Sequence, residues 1–125
     1  MSNAMILVVD DSATIRHRVR ACLQAAGYAV IVAENGAIGL QKAKDNPIDF
    51  AIVDINMPVM DGLEMLASMR SVPGKQSVPV FVLTTESSRD LVARGKEHGA
   101  TAWIVKPFNG ESLLKGIAAV LARAA

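Results

Sequence analysis

Polar residues that could act in catalysis or metal binding follow four of the five apolar segments of the chain. They are Asp10 and Asp11 after the first segment, Asp54 after the third, Thr84 after the fourth and Lys106 after the fifth. Three carboxylates in one crevice would repel one another unless a cation balanced them. Oxygen donors of this kind suit Mg²⁺, and no His or Cys stands beside them to favour zinc.

The same residue types are those that phosphoryl transfer needs. A carboxylate such as Asp54 can act as a nucleophile and take a phosphoryl group as an acyl phosphate. Mg²⁺ would neutralise charge on the transferring group, while Lys106 and Thr84 would hold its remaining oxygens. Pro107 directly follows Lys106, so the Lys106–Pro107 peptide bond is a candidate for the cis form.

These residues can meet only if the apolar segments are neighbouring strands of a parallel sheet. The predicted strands are residues 5–9, 28–32, 50–53, 78–83 and 102–105. Most lack polar alternation, as expected of strands that are covered on both faces. The carboxyl ends of parallel strands share one edge, where ligands of open α/β sheets bind. Because the second segment contributes no such residue, we predict the strand order 2-1-3-4-5.

Helix-like segments separate the strands. Four of them have predicted starts, at Ser12, Asn35 or Gly36, Ser87 or Ser88, and Asn109, while Leu63, Leu66 and Ala67 mark the third helix. Their predicted ends are Gly27, the residue before Pro47, the Pro73-Gly74 turn, His98-Gly99 and the region after Leu121. This alternation predicts an α/β fold, a doubly wound five-stranded parallel sheet with five helices, of the flavodoxin-like type.

Length and composition favour one globular domain of 125 residues. We interpret residues 1–4 as an expression-tag scar and residues 5–125 as the domain. Thirteen Lys and Arg against twelve Asp and Glu give no basic excess for a nucleic-acid partner. A single cysteine, Cys22, fits a reducing compartment, and no apolar run is long enough for a membrane span. We therefore expect a cytoplasmic monomer.

Four short motifs stand in a fixed order along the chain. They are Asp10-Asp11, Asp54-Ile55-Asn56-Met57-Pro58 with Asp61-Gly62, Thr84, and Lys106-Pro107-Phe108. Each motif alone is weak, but the ordered set resembles the receiver domain of response regulators over the whole chain from Met5. Residues 83–88 and 99–108 are more specifically similar to the single-domain chemotaxis proteins of the CheY group.

The resemblance implies a phosphorylation site and a metal site. Asp54 would be the phosphoacceptor, with a sensor histidine kinase or a small molecule as phosphodonor. Mg²⁺ would be held by Asp11, Asp54 and the backbone carbonyl of Asn56, while Asp10 would act through water. Asn56 and Glu86 would occupy positions that tune the lifetime of the acyl phosphate.

The resemblance also implies a switch. Thr84 would turn toward the phosphoryl group, and Trp103 would move into the space that it leaves. The fourth helix, fifth strand and fifth helix would then present an altered face to a protein target, with a flagellar motor switch protein as the default. Two residues depart from the family pattern: Trp103 replaces the usual Tyr or Phe, and its bulk would hinder movement, while Thr85 replaces a small residue and would restrict access.

Other functions are compatible with parts of this pattern. A Mg²⁺-dependent phosphatase with an aspartyl-phosphate intermediate would carry a second acid two residues after the nucleophile, where this chain has Asn56. A flavodoxin-like cofactor binder would need hydroxyl groups and amides after the first strand, where Asp10 and Asp11 would repel phosphate. A phosphate sink, or a stand-alone receiver outside chemotaxis, would share the same core. We expect no separate enzymatic activity.

The remaining polar residues have structural interpretations. Asp61 before Gly62 is interpreted as a turn residue rather than a metal ligand. Arg16, Arg18 and Arg20 alternate along a predicted helix, which would spread them around its surface as a solvated flank.

Overall fold

The computed structural model describes residues 4–124. Residues 1–3, which belong to the segment that we interpret as an expression-tag scar, lie outside the described residues. Strands and helices alternate along the chain: β1 Met5–Val9, α1 Ala13–Ala25, β2 Ala29–Ala33, α2 Gly36–Asp45, β3 Phe50–Val53, α3 Gly62–Met69, β4 Val80–Thr84, α4 Arg89–Glu97, β5 Ala102–Val105 and α5 Gly110–Ala124. The strands form one sheet in the order β2-β1-β3-β4-β5. Every pairing is parallel. The predicted fold class and strand order are therefore confirmed.

Two predicted strands are displaced by one or two residues. β2 runs to Ala33 because Ala33 pairs with Val9 and its carbonyl accepts a hydrogen bond from the amide of Asp10 at 3.1 Å. β4 begins at Val80 rather than Val78. It includes Thr84, which pairs with Val105. Thr84 is thus the last residue of a strand rather than the first residue of a loop.

The third helix also ends earlier than predicted. α3 stops at Met69, before the Pro73-Gly74 turn. The guanidinium of Arg70 explains this end, because it donates to the carbonyls of Lys75 and Val78 at 3.0 and 2.9 Å. These bonds fold the intervening residues into turns instead of a further helical turn.

The core lies on both faces of the sheet. Alternate strand residues point to opposite faces, so Leu7 and Val53 pack under α2 and α3 while Ile6 and Phe50 pack under α1 and α5. The Phe50 and Phe81 rings meet edge to face, with centroids 4.7 Å apart. Burial on both faces accounts for strands that carry almost no polar residues.

Capping side chains fix where the helices begin, beside the carboxyl ends of the strands. Ser12, Asn35, Asp61 and Ser88 each accept a hydrogen bond from an amide of the first turn. Each such cap contributes about 1 kcal/mol. Asp61, which the sequence indicated only as a turn residue, is the N-cap of α3, since its carboxylate accepts from the amide of Glu64 at 2.9 Å. No helix within residues 4–124 is long and apolar enough to cross a membrane.

The loop after β3 holds a strained residue. Val59 has φ 71°. It lies at the centre of a three-residue turn closed by the amide of Met60 and the carbonyl of Pro58 at 2.8 Å. Positive φ is unfavourable for a β-branched residue. Because the side chain of Val59 is 82% exposed, little packing offsets the strain.

We expect Val59→Asn to raise the free energy of unfolding by about 1 kcal/mol, because Asn tolerates positive φ. Urea denaturation of the two proteins measures the difference. Val59→Ile keeps the branched side chain and should give no gain. Equal stability of the Asn and Ile variants would contradict the strain argument.

Candidate functional site

Three aspartates meet at the carboxyl edge of the sheet. Asp10 and Asp11 follow β1 and Asp54 follows β3, and these two strands are hydrogen-bonded neighbours. One carboxylate oxygen from each lies within 4.8 Å of the others. Asp10 and Asp54 are 2% and 5% exposed, whereas Asp11 is open to solvent. The cluster therefore consists of two buried carboxylates and one accessible carboxylate.

Lys106 reaches into this cluster from the end of β5. Its Nζ lies 2.8 Å from Oδ2 of Asp10 and 3.2 Å from Oδ2 of Asp54. The Lys106–Pro107 peptide bond is cis. The amide of Lys106 donates to the carbonyl of Thr84 at 2.8 Å, which fixes the start of this side chain. One ammonium group thus faces two buried carboxylates.

Burial and charge act on the protonation of this group. Burial raises the pKa of Asp10, and the neighbouring charge of Asp54 adds to the effect; bonds from Lys106 and the amide of Ser12 offset it only in part. Burial alone would lower the pKa of Lys106, but hydrogen bonds and attraction to Asp10 and Asp54 outweigh it and raise that pKa. Lys106 is therefore charged at neutral pH, and its ammonium offsets part of the cost of burying the Asp10 carboxylate.

Backbone contacts hold Asp54 firmly. Its amide donates to the carbonyl of Val9 at 2.9 Å, and its Oδ1 accepts from the amide of Ile55 at 2.7 Å. Gly62 packs against its backbone so closely that an added Cβ would lie 2.0 Å from the carbonyl oxygen of Asp54. The position of the carboxylate is thus fixed by the end of β3 and by the packing of the start of α3.

Thr84 and Glu86 link the site to the loop between β4 and α4. Thr84 is fully buried, and its Oγ1 accepts a hydrogen bond from the amide of Glu86 at 3.3 Å. The carboxylate of Glu86 accepts from Nδ2 of Asn56 at 2.9 Å. The two residues predicted to tune acyl-phosphate lifetime therefore contact each other in this structure.

Trp103 is joined to the same loop. Its Nε1 donates to the carbonyl of Glu86 at 2.7 Å, and its ring packs with Ile55, Leu63 and Val82. The ring lies against Gly95 of α4, where an added Cβ would lie 3.0 Å from it, and the expectation that its bulk hinders movement stays a prediction. Thr85 is exposed.

The donor set fits a hard divalent cation. Both carboxylate oxygens of Asp10 have partners, the amide of Ser12 at 2.9 Å and Lys106 at 2.8 Å. Within residues 4–124, the carboxylate of Asp11 makes no hydrogen bond or ion pair. Asp11 is thus the carboxylate best available for direct ligation, because both oxygens of Asp54 also have partners, the amide of Ile55 at 2.7 Å and Lys106 at 3.2 Å. The oxygen chemistry of the cluster suits Mg²⁺, and a direct bond from Asp54 stays a prediction. A contribution from the Asn56 carbonyl and a water-mediated one from Asp10 stay predictions.

One residue near the site was misinterpreted from sequence. The sequence indicates a solvated flank for Arg16, but the side chain is half-buried and its Nη1 donates to the carbonyl of Asp10 at 2.7 Å. Arg18 is exposed and lies 5.9 Å from the centre of the Phe108 ring. The alternating pattern could not indicate which arginine turns back toward the loop.

Comparison with known proteins identifies relatives of this arrangement. The chain is 36% identical over 119 residues to Protein PilH of Pseudomonas aeruginosa, which covers 95% of this chain and 98% of PilH. It is also 36% identical over 123 residues to the transcriptional regulatory protein PrrA of Mycobacterium tuberculosis, and this match covers 98% of this chain and 52% of PrrA. The chain therefore spans about half the length of PrrA.

A solved structure and a family model agree with these relatives. The chemotaxis protein CheY4 of Vibrio cholerae superposes with a TM-score of 0.91 at 44% identity, covering 95% of this chain and 99% of that one. The model of the response regulator receiver domain matches residues 6–118, which include Asp10, Asp54, Thr84 and Lys106. The chain belongs to the response regulator receiver domain family.

Proposed function

We propose that this protein is a stand-alone phosphorylation switch in which Asp54 accepts a phosphoryl group. The observation that carries the proposal is the position of the Asp54 carboxylate, buried beside Asp10 and 3.2 Å from the ammonium of Lys106. Receiver domains take phosphoryl groups from histidine kinases and act on protein targets, so the phosphodonor is a sensor histidine kinase. PilH, which matches this chain over 98% of its own length, is a relative of receiver size and supports the proposal.

The transfer follows from the residues at the site. An oxygen of Asp54 attacks the phosphorus atom while the bond to the donor nitrogen breaks, and the leaving imidazole takes a proton from solvent. Lys106 stabilises negative charge on the phosphoryl oxygens, as a fixed cation does best in a partly dry site. Mg²⁺, held by Asp11, Asp54 and the Asn56 carbonyl, would neutralise further charge on those oxygens.

The signal leaves the site through the loop between β4 and α4. Reorientation of the Thr84 hydroxyl toward a phosphoryl oxygen would release the amide of Glu86, to which it is bonded at 3.3 Å. Trp103 holds the carbonyl of the same Glu86 at 2.7 Å, so the indole senses any movement of the loop. The output surface is then the α4-β5-α5 face, where Val105 is 47% exposed.

Chemotaxis is the pathway that similarity to CheY4 favours, with a flagellar motor switch protein as the target. A protein that signals in this way needs no catalytic turnover of its own beyond loss of its phosphoryl group. We propose that it works as a monomer in the cytoplasm, where Cys22 stays reduced.

Incubation with acetyl phosphate and Mg²⁺, followed by intact mass measurement, tests the phosphorylation directly. We expect one added phosphoryl group per chain, and none when the divalent cation is chelated. Asp49→Asn removes an aspartate from the opposite end of β3 and should leave the gain unchanged. Absence of phosphoryl mass on the wild-type protein would refute the proposal.

A further inference from the structure

Arg16 connects the first helix to the acidic loop. It lies one turn after the N-cap Ser12 on α1, and its Nη1 donates to the carbonyl oxygen of Asp10 at 2.7 Å. The side chain is half-buried. Among residues 4–124 no carboxylate lies within ion-pair distance of it, so its defined contact to this loop is with the backbone.

That contact completes the fixation of Asp10. The amide of Asp10 donates to the carbonyl of Ala33 at 3.1 Å, and its carboxylate is held by Ser12 and Lys106. Arg16 holds the one remaining polar atom, the carbonyl oxygen. Because the peptide unit is planar, fixing this carbonyl also fixes the amide of Asp11.

Asp11 depends on this backbone restraint. Its side chain is exposed and makes no hydrogen bond within the described part of the chain. Its carboxylate nevertheless lies within 4.8 Å of those of Asp10 and Asp54. Fixing the 10–11 peptide, to which Arg16 is bonded, therefore places the backbone of Asp11 and limits the positions that its carboxylate can reach.

The charge of Arg16 acts in the opposite sense to its hydrogen bond. A guanidinium near three carboxylates repels an incoming cation, so its charge alone would weaken metal binding. A bond that aims a metal ligand strengthens binding instead, and removing such outer contacts usually costs 10- to 100-fold in affinity, on the order seen in other metal sites. The sign of the effect separates the two roles.

We propose that Arg16 is a positioning residue that holds the Asp10–Asp11 peptide, so that Asp11 and Asp54 face the same divalent cation. The inference rests on the proposed function only through the metal site and not through the phosphoryl chemistry. It predicts that Arg16→Met weakens binding of Mn²⁺, used as a probe, by about tenfold. The amplitude of the free Mn²⁺ signal in electron paramagnetic resonance gives the dissociation constant.

Arg20→Met is the matched control, because Arg20 lies one turn further along α1 and the variant loses the same charge. It should bind Mn²⁺ as tightly as the wild-type protein, or slightly more tightly. Arg16→Lys keeps the charge and one donor, and should bind Mn²⁺ more tightly than Arg16→Met. An effect of charge alone would reverse this last order.

The free energy of unfolding of each variant is measured alongside. If Arg16→Met is less stable but binds Mn²⁺ like Arg20→Met, the residue has only a structural role and the inference is overturned. Affinity equal to or above that of the wild-type protein would overturn it as well. If the wild-type protein binds no Mn²⁺ yet gains a phosphoryl group, the metal site and this inference fail while phosphorylation of Asp54 stands.

Discussion

Replacing Lys106 with methionine is expected to destabilise the protein by about 3 kcal/mol and to slow phosphoryl transfer on the order of 100-fold. The ammonium faces Asp10 and Asp54, whose side chains are 3% and 7% exposed. Its removal leaves two buried carboxylates with no cation between them. The same change removes the fixed positive charge that would stabilise the phosphoryl oxygens. Urea denaturation and the rate of mass gain with acetyl phosphate measure the two effects.

Lys115→Met provides the control for loss of a lysine. Lys115 pairs with Glu111 at 3.3 Å, but both side chains are more than three-quarters exposed. Such surface pairs contribute well under about 1 kcal/mol, so this variant should keep both stability and rate. An equal loss in the Lys106 and Lys115 variants would contradict a special role for the buried cation.

The stability loss of the Lys106 variant should depend on pH. Burial and mutual repulsion raise the pKa of Asp10 already in the wild-type protein. Without Lys106 that pKa rises further. A carboxyl with a raised folded-state pKa contributes stability that is present below its unfolded pKa and lost as pH rises through the folded value. The difference between wild type and variant should therefore be larger at pH 7 than at pH 4, and a difference that shrinks with pH would contradict the account.

Gly62→Ala is expected to have a comparable effect on stability through steric overlap. The added methyl group would lie 2.0 Å from the carbonyl oxygen of Asp54 and 2.8 Å from its carbonyl carbon. Because these are backbone atoms, α3 and the end of β3 must separate, which should cost about 3 kcal/mol. Displacement of Asp54 by about 1 Å should also slow its phosphorylation on the order of 100-fold.

Gly110→Ala isolates the cause of that loss. A methyl group there would meet only Sγ of Cys22, at 3.3 Å, and this atom belongs to a side chain that can move. We expect a change in unfolding free energy below about 1 kcal/mol. If Gly62→Ala is no more harmful than Gly110→Ala, the close packing of α3 on Asp54 is not what places the carboxylate.

The sequence predicts this site well because its residues directly follow buried strands. β1, β3 and β5 have the predicted bounds, and Asp10, Asp54 and Lys106 come immediately after them. The ends of β2 and β4 were less predictable because they depend on pairing with a neighbour, as Ala33 pairs with Val9. The residues of one strand do not indicate the register in which it pairs with its neighbour.

Contacts made by long side chains, and close packing against glycines, could not be predicted from the sequence. Arg16 and Arg20 look alike in the sequence, and only the fold shows that Arg16 reaches the carbonyl of Asp10. The absence of a side chain at Gly95 likewise gains meaning only when the ring of Trp103 is seen to lie against it. Such contacts depend on the distance between helices and strands far apart in the chain.

Reductive trapping tests the identity of the phosphoacceptor most directly. Borohydride converts an aspartyl phosphate to homoserine, and trypsin releases residues 45–70 as one peptide containing four aspartates, at positions 45, 49, 54 and 61. After treatment with acetyl phosphate and Mg²⁺, fragmentation of this peptide should place homoserine at position 54, and Asp54→Asn should yield none. Homoserine at Asp10, Asp11 or another aspartate, with position 54 unmodified, would contradict the assignment of Asp54.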